Sequence, residues 1–209
     1  MFSRDSGRAR GFLIVAAVGA TALMIAPTSG MAAKVKFGSK LNPTVQPSNS
    51  LPAQDCQHQD PGKSCTLVMN EAYGRPNGGE KAPVNGILKR VRVIAGGKGH
   101  FRLQLTKARK VNGTWEAKAV RNGPVINYSG QKQSNFNSDH YKVESFEAGI
   151  PIFKGERLSM RATKTSAIRC SSGGDNTLIF APPLLEGGGF KQAKSTDGCW
   201  PLIEGVIKK

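Results

Sequence analysis

The sequence predicts an all-β protein: a two-sheet antiparallel sandwich, jelly-roll-like, preceded by a signal-peptide helix. Three observations carry that reading. Beyond the N-terminus, no window long enough for a substantial helix keeps a 3.6-residue apolar period. Several short segments instead alternate apolar and polar residues, most cleanly 100–106 (HFRLQLT) and 157–163 (RLSMRAT). Glycine and proline punctuate these segments at fairly regular intervals, as they do in sandwiches and barrels. With roughly eight to ten strands, two packed sheets are preferred to a closed barrel; a first strand beginning as early as Val35 is the alternative to reading residues 34–55 as linker.

In order along the chain, the apolar run Cys65–Met69 is the first strand of the expected domain, and Gly74–Pro83 is a turn-rich loop. Gly86–Ala95 places Ile87, Val91 and Val93 on one face, with Arg90 and Arg92 on the other. Gly96-Gly97-Lys98-Gly99 then marks a hairpin. In 100–106, Phe101, Leu103 and Leu105 point inward, while Arg102, Gln104 and Thr106 point outward. Asn112-Gly113 turns the chain into a strand over Thr114–Arg121, and Gly123–Asp139 is expected to be a surface excursion. Strands over Tyr141–Phe146 and Ile150–Phe153 follow. Residues 157–163 set Leu158, Met160 and Ala162 inward against Arg157, Ser159, Arg161 and Thr163. Thr177–Phe180 and Leu202–Ile207 complete the set, separated by a second excursion over Pro182–Gly198.

The N-terminus has a different character. Arg4, Arg8 and Arg10 precede a 16-residue apolar run, Gly11–Ala26, and then Pro27 and a small-residue stretch ending at Ala33. A basic region, a short apolar core and a small-residue exit describe a secretory signal over residues 1–33, cut after Ala32 or Ala33. A retained anchor is the competing reading, but the run falls short of the roughly 20 residues a spanning helix needs. Residues 34–55, rich in Pro, Ser, Asn and Gln, are expected to be an extended linker, with the sandwich occupying 56–209. The implied location is secreted or cell-envelope, with no transmembrane segment once the signal is removed.

The whole chain carries 30 Lys and Arg against 14 Asp and Glu, a formal charge of +16. Losing Arg4, Arg8, Arg10 and Asp5 with the signal leaves about +14. Such an excess draws anionic partners: anionic polysaccharide, cell-wall polymer, lipid head groups or an envelope protein. Export argues against dedicated nucleic-acid binding. The four cysteines, Cys56, Cys65, Cys170 and Cys199, read as two disulfides in an oxidising compartment. Three pairings are open. Cys56–Cys65 and Cys170–Cys199 are preferred because each closes a local loop. Their spacing does not suit zinc.

Pro83-Val84-Asn85-Gly86-Ile87-Leu88 with Val91-Arg92-Val93, then Gly99-His100-Phe101-Arg102-Leu103, set up a recognisable layout. The stretch from Gly149 to Leu158 and the closing Leu202-Ile203-Glu204-Gly205-Val206-Ile207 continue it. Over about Cys56–Ile207 this resembles uncharacterised secreted bacterial β-sandwich proteins, mostly actinobacterial. The resemblance implies fold and compartment; it brings no activity and no catalytic residues.

No catalytic constellation is visible. His58, His100 and His140 sit in loops or on polar faces, and no Gly-x-Ser-x-Gly elbow is present. No carboxylate pair stands out for glycoside cleavage; Glu144 reads as a solvated strand residue and Glu156 as a turn residue. Asp175, Asn176 and Asp197 beside glycines are turn chemistry before they are calcium ligands, so neither a metal nor a cofactor is expected. Gly96–Gly99 runs from strand to strand, not from strand to helix as a phosphate loop must. What remains is arginine. Arg90, Arg92, Arg102, Arg157 and Arg161 all fall on expected outward faces, and on neighbouring strands they form a cationic stripe across one sheet. Trp115, Tyr128, Tyr141 and Trp200 are candidate stacking surfaces for sugar rings. The expected function is non-catalytic binding of an anionic or carbohydrate envelope polymer, or of an envelope protein. The alternative is a secreted hydrolase of such polymers using His100 or His140.

Overall fold

Phe37, Leu88, Val91, Val93, Ile203 and Ile207 of one sheet meet Leu67, Met69, Phe101, Leu103, Leu105, Leu158 and Met160 of another in one buried cluster. That apolar layer is the core of a two-sheet sandwich. The computed structural model describes residues 33–41, 56, 64–130, 142–163, 168–169 and 174–209. The expected signal helix, most of the expected linker, Cys170, His58, His140 and Tyr141 lie outside the described residues.

Along the chain the strands are β1 (Lys34–Gly38), β2 (Cys65–Met69), β3 (Gly86–Val93), β4 (Gly99–Val111) and β5 (Thr114–Tyr128). Then come β6 (Glu144–Ile152), β7 (Arg157–Ala162), β8 (Ile168–Arg169), β9 (Thr177–Phe180) and β10 (Lys191–Gln192). The last are β11 (Ser195–Asp197), β12 (Trp200–Pro201) and β13 (Ile203–Lys208). One sheet runs β1-β13-β3-β6 and the other β10-β5-β4-β7-β2-β9-β11, with a small β8–β12 pair beside them. Every strand pair is antiparallel. All strands and both large buried clusters lie in the compact unit Ala32–Lys209, which therefore carries its own hydrophobic core.

The sandwich begins earlier than 56. Lys34–Gly38 pairs with β13 and buries Phe37, so the expected linker does not start at residue 34. The sequence hides this strand because its one large core side chain, Phe37, sits between lysines and glycine. Gly205 is the matching concession on β13: a Cβ there would lie 2.3 Å from the Phe37 ring. Cys56–Cys65 is a disulfide, as expected, and ties the start of β2 to the chain before it. Cys199 is also disulfide-bonded, and Cys170, its expected partner, is outside the described residues.

Two register shifts correct the expected strand faces. Ile87 was expected inward, yet it is exposed and Leu88 is fully buried. The β3 ladder shifts between Leu88 and Arg90, so the extra residue Lys89 changes the phase of everything before it. β5 also runs through Gly123-Pro124 to Tyr128, where an excursion was expected. Arg102 pairs with Val125 and Gln104 with Asn122, so Gly123 and Pro124 occupy a bulge opposite Leu103. A proline is tolerated in a strand at such a bulge. Similarly, β6 is one strand instead of two, bent at Gly149 (φ 65°).

The second excursion, 182–198, is a cover. Leu184 packs with Val68, Ala117, Ala119, Leu178 and Phe180 on the outer face of the seven-stranded sheet. Gln104 and Thr106, expected to be solvated, are therefore buried, as are Thr66 and Ser159. They satisfy one another under the strap. The Thr66 hydroxyl donates to Gln104 Oε1 (2.9 Å), and the Gln104 amide donates to Asn122 Oδ1 (2.8 Å) and the Leu184 carbonyl (3.2 Å).

Candidate functional site

The expected arginine stripe does not exist as one surface. Arg90 and Arg92 lie on β3 in the four-stranded sheet, while Arg102, Arg157 and Arg161 lie on β4 and β7 in the seven-stranded sheet. Arg157 is not on the surface at all: its side chain is 3% exposed. Its Nη1 donates to the carbonyls of Met69 and Asn70 and to Asn70 Oδ1 (2.7 Å), and its Nη2 lies 3.4 Å from Glu80. Burial lowers its pKa from the ordinary arginine value, and the Glu80 carboxylate opposes that shift. Arg157 is a structural cation beneath the 69–81 loop. Arg102 and Arg161 face each other across the β4–β7 pair as an isolated couple.

Arg90 and Arg92 belong to a larger assembly. In the four-stranded sheet, register places Gly38, Glu204, Arg92 and Ser145 in one cross-strand row, and Lys36, Val206, Arg90 and Glu147 in the next. One row further, Lys34 stands directly opposite Lys208. Alternation sends these side chains to the face opposite the core. The bulge adds Lys89 to Arg90, so two consecutive cations are both exposed on β3. The result is an open groove of about 680 Å³ lined by Lys34, Lys36, Lys89, Arg90, Arg92 and Lys208, with Glu147 on its β6 wall.

The groove has two ends of different electrostatic character. At one end Glu204, buried with its side chain 3% exposed, is held by three cations. Arg92 Nη1 and Arg75 Nη2 (2.8 Å) donate to it, and Lys36 Nζ lies 3.5 Å away. Arg75 also donates to the Gly38 carbonyl (2.5 Å), which fixes that corner of the sheet. At the other end, Lys34, Lys89, Arg90 and Lys208 make no ion pair and no side-chain hydrogen bond with any described residue. Like charges directly opposite in a sheet are unfavourable neighbours, and Lys34 and Lys208 are such a pair, both exposed.

Among the described residues that line the groove none is aromatic. Trp200 packs edge-on against Tyr73 and Tyr128 is buried against Phe101, so both serve packing. Trp115 lies on the other sheet, beneath Lys110. Among the other candidates, His100 is exposed at the start of β4. Glu156 is a buried brace: its carboxylate accepts from the Phe153 N–H (3.0 Å) and lies 3.4 Å from Arg121. Asp175 accepts from the Thr196 hydroxyl, and Asp197 from the Cys199 N–H, as turn staples. Among the described residues no group of three or more His, Cys, Asp or Glu could hold a metal ion. No helix among them is long and apolar enough to cross a membrane.

Sequence reasoning found Arg90 and Arg92 but missed Lys34, Lys36, Lys89 and Lys208. The first two were assigned to a linker, and Lys89 was hidden by the assumption of strict alternation. The one available signal was the spacing of the lysines in Lys34-Val35-Lys36, which is that of a strand face. Fold and groove together define a β-sandwich with a cationic outer face. No protein-family model, curated protein or solved structure matches this chain.

Proposed function

We propose that the protein is an exported, non-catalytic binder of an anionic envelope polymer, and that the groove on the four-stranded sheet is where the polymer lies. The observation that carries this is the cation-rich end of the groove: Lys34, Lys89, Arg90 and Lys208 make no ion pair with a described residue, Lys34 and Lys208 stand directly opposed in register, and Glu147 is the one carboxylate of the lining. An anionic chain lying there places negative charge between Lys34 and Lys208, which stand directly opposite one another. Contacts are charge-based and open to solvent, which makes affinity salt-sensitive. Without aromatic side chains in the lining there is nothing to stack on a neutral sugar ring. That supports an anionic polymer over a neutral carbohydrate. The disulfide and the basic-apolar-small N-terminus support an extracytoplasmic location.

Retention of residues 32–209 on immobilised dextran sulfate, eluted by a salt gradient, tests the proposal. Retention should exceed that on neutral dextran and should fall in Lys34→Gln/Lys208→Gln and in Lys89→Gln/Arg90→Gln. Arg102→Gln/Arg161→Gln, on the other sheet, should elute like the parent. Equal retention on neutral dextran, or an equal loss in the Arg102/Arg161 variant, rules the groove out.

A further inference from the structure

We propose that the projecting end of the β4–β5 hairpin is a second binding surface, which contacts an anionic lipid bilayer. β4 pairs with β7 only as far as Thr106; beyond it residues 107–111 pair with β5 alone. At about 3.4 Å per residue the hairpin therefore runs on for roughly 17 Å past β7, while β10 lies along its other edge at Glu116 and Ala117. This end is basic on both faces. Lys107 stands directly opposite Lys118, Arg109 opposite Glu116, and Lys110 opposite Trp115. Lys107, Arg109 and Lys110 are exposed.

Among the described residues, Arg109 is the one cation of this end with a carboxylate partner, Glu116 at 2.8 Å. Lys107 and Lys118 make no ion pair with a described residue. The Phe190 ring is flanked by Arg109 (3.9 Å) and Lys118 (5.0 Å), and the Trp115 ring carries Lys110 at 5.6 Å. Those ring faces hold the cations in place without cancelling their charge. At the tip, Val111 is 37% exposed, next to the Asn112-Gly113 turn.

A protruding element cannot enclose a single polymer chain as the groove does. A flat sheet of phosphate head groups can meet cations on both its faces at once. The exposed Val111 then sits at head-group depth, at the tip beyond the cations. The surface lies on the other sheet from the groove and does not depend on the groove's function.

Co-sedimentation of residues 32–209 with phosphatidylcholine vesicles, with or without about one-third phosphatidylglycerol, tests this. At low salt the protein should pellet with the anionic vesicles and remain in solution with the neutral ones. Lys107→Glu/Lys110→Glu should cut vesicle binding by about tenfold or more. That variant should fold, because a glutamate at 107 faces Lys118 across the strand pair. The milder Lys107→Gln/Lys110→Gln should show a smaller loss in the same direction, and Lys34→Gln/Lys208→Gln should bind vesicles normally. Absence of any preference for anionic vesicles overturns the proposal. So does a loss of vesicle binding in the groove variant equal to that in the hairpin variants, or a hairpin variant that loses dextran sulfate retention instead.

Discussion

Replacing Glu204 with glutamine should separate stability from binding. The carboxylate is buried and holds Arg92, Arg75 and Lys36 together. Removing one partner of a buried ion pair costs about 3–5 kcal/mol when the charge left behind is itself buried. Here the abandoned cations are partly solvated: their side chains are 28%, 22% and 51% exposed, respectively. Water takes over much of their compensation, which brings the expected cost to about 2–3 kcal/mol. For a folded unit of this size that lowers Tm by about 4–12 °C. Binding should move the other way. Glu204→Gln removes a negative charge from under the groove and frees Arg92 and Lys36, so dextran sulfate affinity at low salt should rise about twofold to fivefold. Thermal unfolding followed by circular dichroism reads the first effect, and salt-gradient elution at a temperature where the variant is folded reads the second. An unchanged Tm would mean the three contacts contribute no net stability. A folded variant with weaker retention would show that the groove does not work through its positive potential.

Four further predictions concern single features. Gly205→Ala should cost about 1–3 kcal/mol, seen as a lower denaturation midpoint with an unchanged m-value, because the new Cβ overlaps the Phe37 ring. Cys56→Ser/Cys65→Ser opens a bridge spanning 9 residues and should cost about 2–3 kcal/mol, lowering Tm by about 5–10 °C. Lys36→Gln removes the most exposed of the Glu204 partners and should stay within about 0.5 kcal/mol of the parent in denaturant melts. Glu144 sets a pH dependence. Burial raises its pKa, but the Ser129 hydroxyl, the Gly130 and Ser129 N–H groups and Lys142 outweigh burial and leave it below the ordinary value. A depressed carboxylate stabilises the fold above its unfolded pKa, and that contribution disappears as pH falls through the folded value. Glu144→Gln should therefore be less stable than the parent at neutral pH, and the difference should shrink in melts taken below about pH 4.

How legible the fold was depended on what covers each face. Alternation in 100–106 and 157–163 identified the inward residues correctly, since Phe101, Leu103, Leu105, Leu158 and Met160 are all fully buried. It misjudged the other face because a sheet in a sandwich is solvated outside only if nothing lies over it. Residues 182–193 and the 69–81 loop do lie over it. Gln104, Thr106, Ser159 and Arg157 are buried polar groups matched to partners 18 to 88 positions away, and no local pattern encodes such matches. Register was hidden for a related reason. One residue too many at Lys89 turns Ile87 out and Leu88 in, and neither segment is unusual in composition.

The same physics explains why only two of the six groove cations could be found from the chain alone. Arg90 and Arg92 sit on a strand whose apolar face is obvious, so their exposure followed from Val91 and Val93. Lys34, Lys36 and Lys208 become neighbours only because the first and last strands pair, a contact spanning nearly the whole folded unit. A binding face assembled from opposite ends of a chain leaves no contiguous motif. Its trace is an excess of positive charge that the local strands do not neutralise, and that excess was visible from the start in a chain of formal charge +16. The structure adds the distribution. Cations with partners, at Glu204, Glu80 and Glu156, hold the sandwich together, while the groove and the β4–β5 hairpin each gather several that make no ion pair with a described residue. Charge left unpaired on an otherwise well-satisfied fold is where an anionic partner gains most, because there it displaces only water.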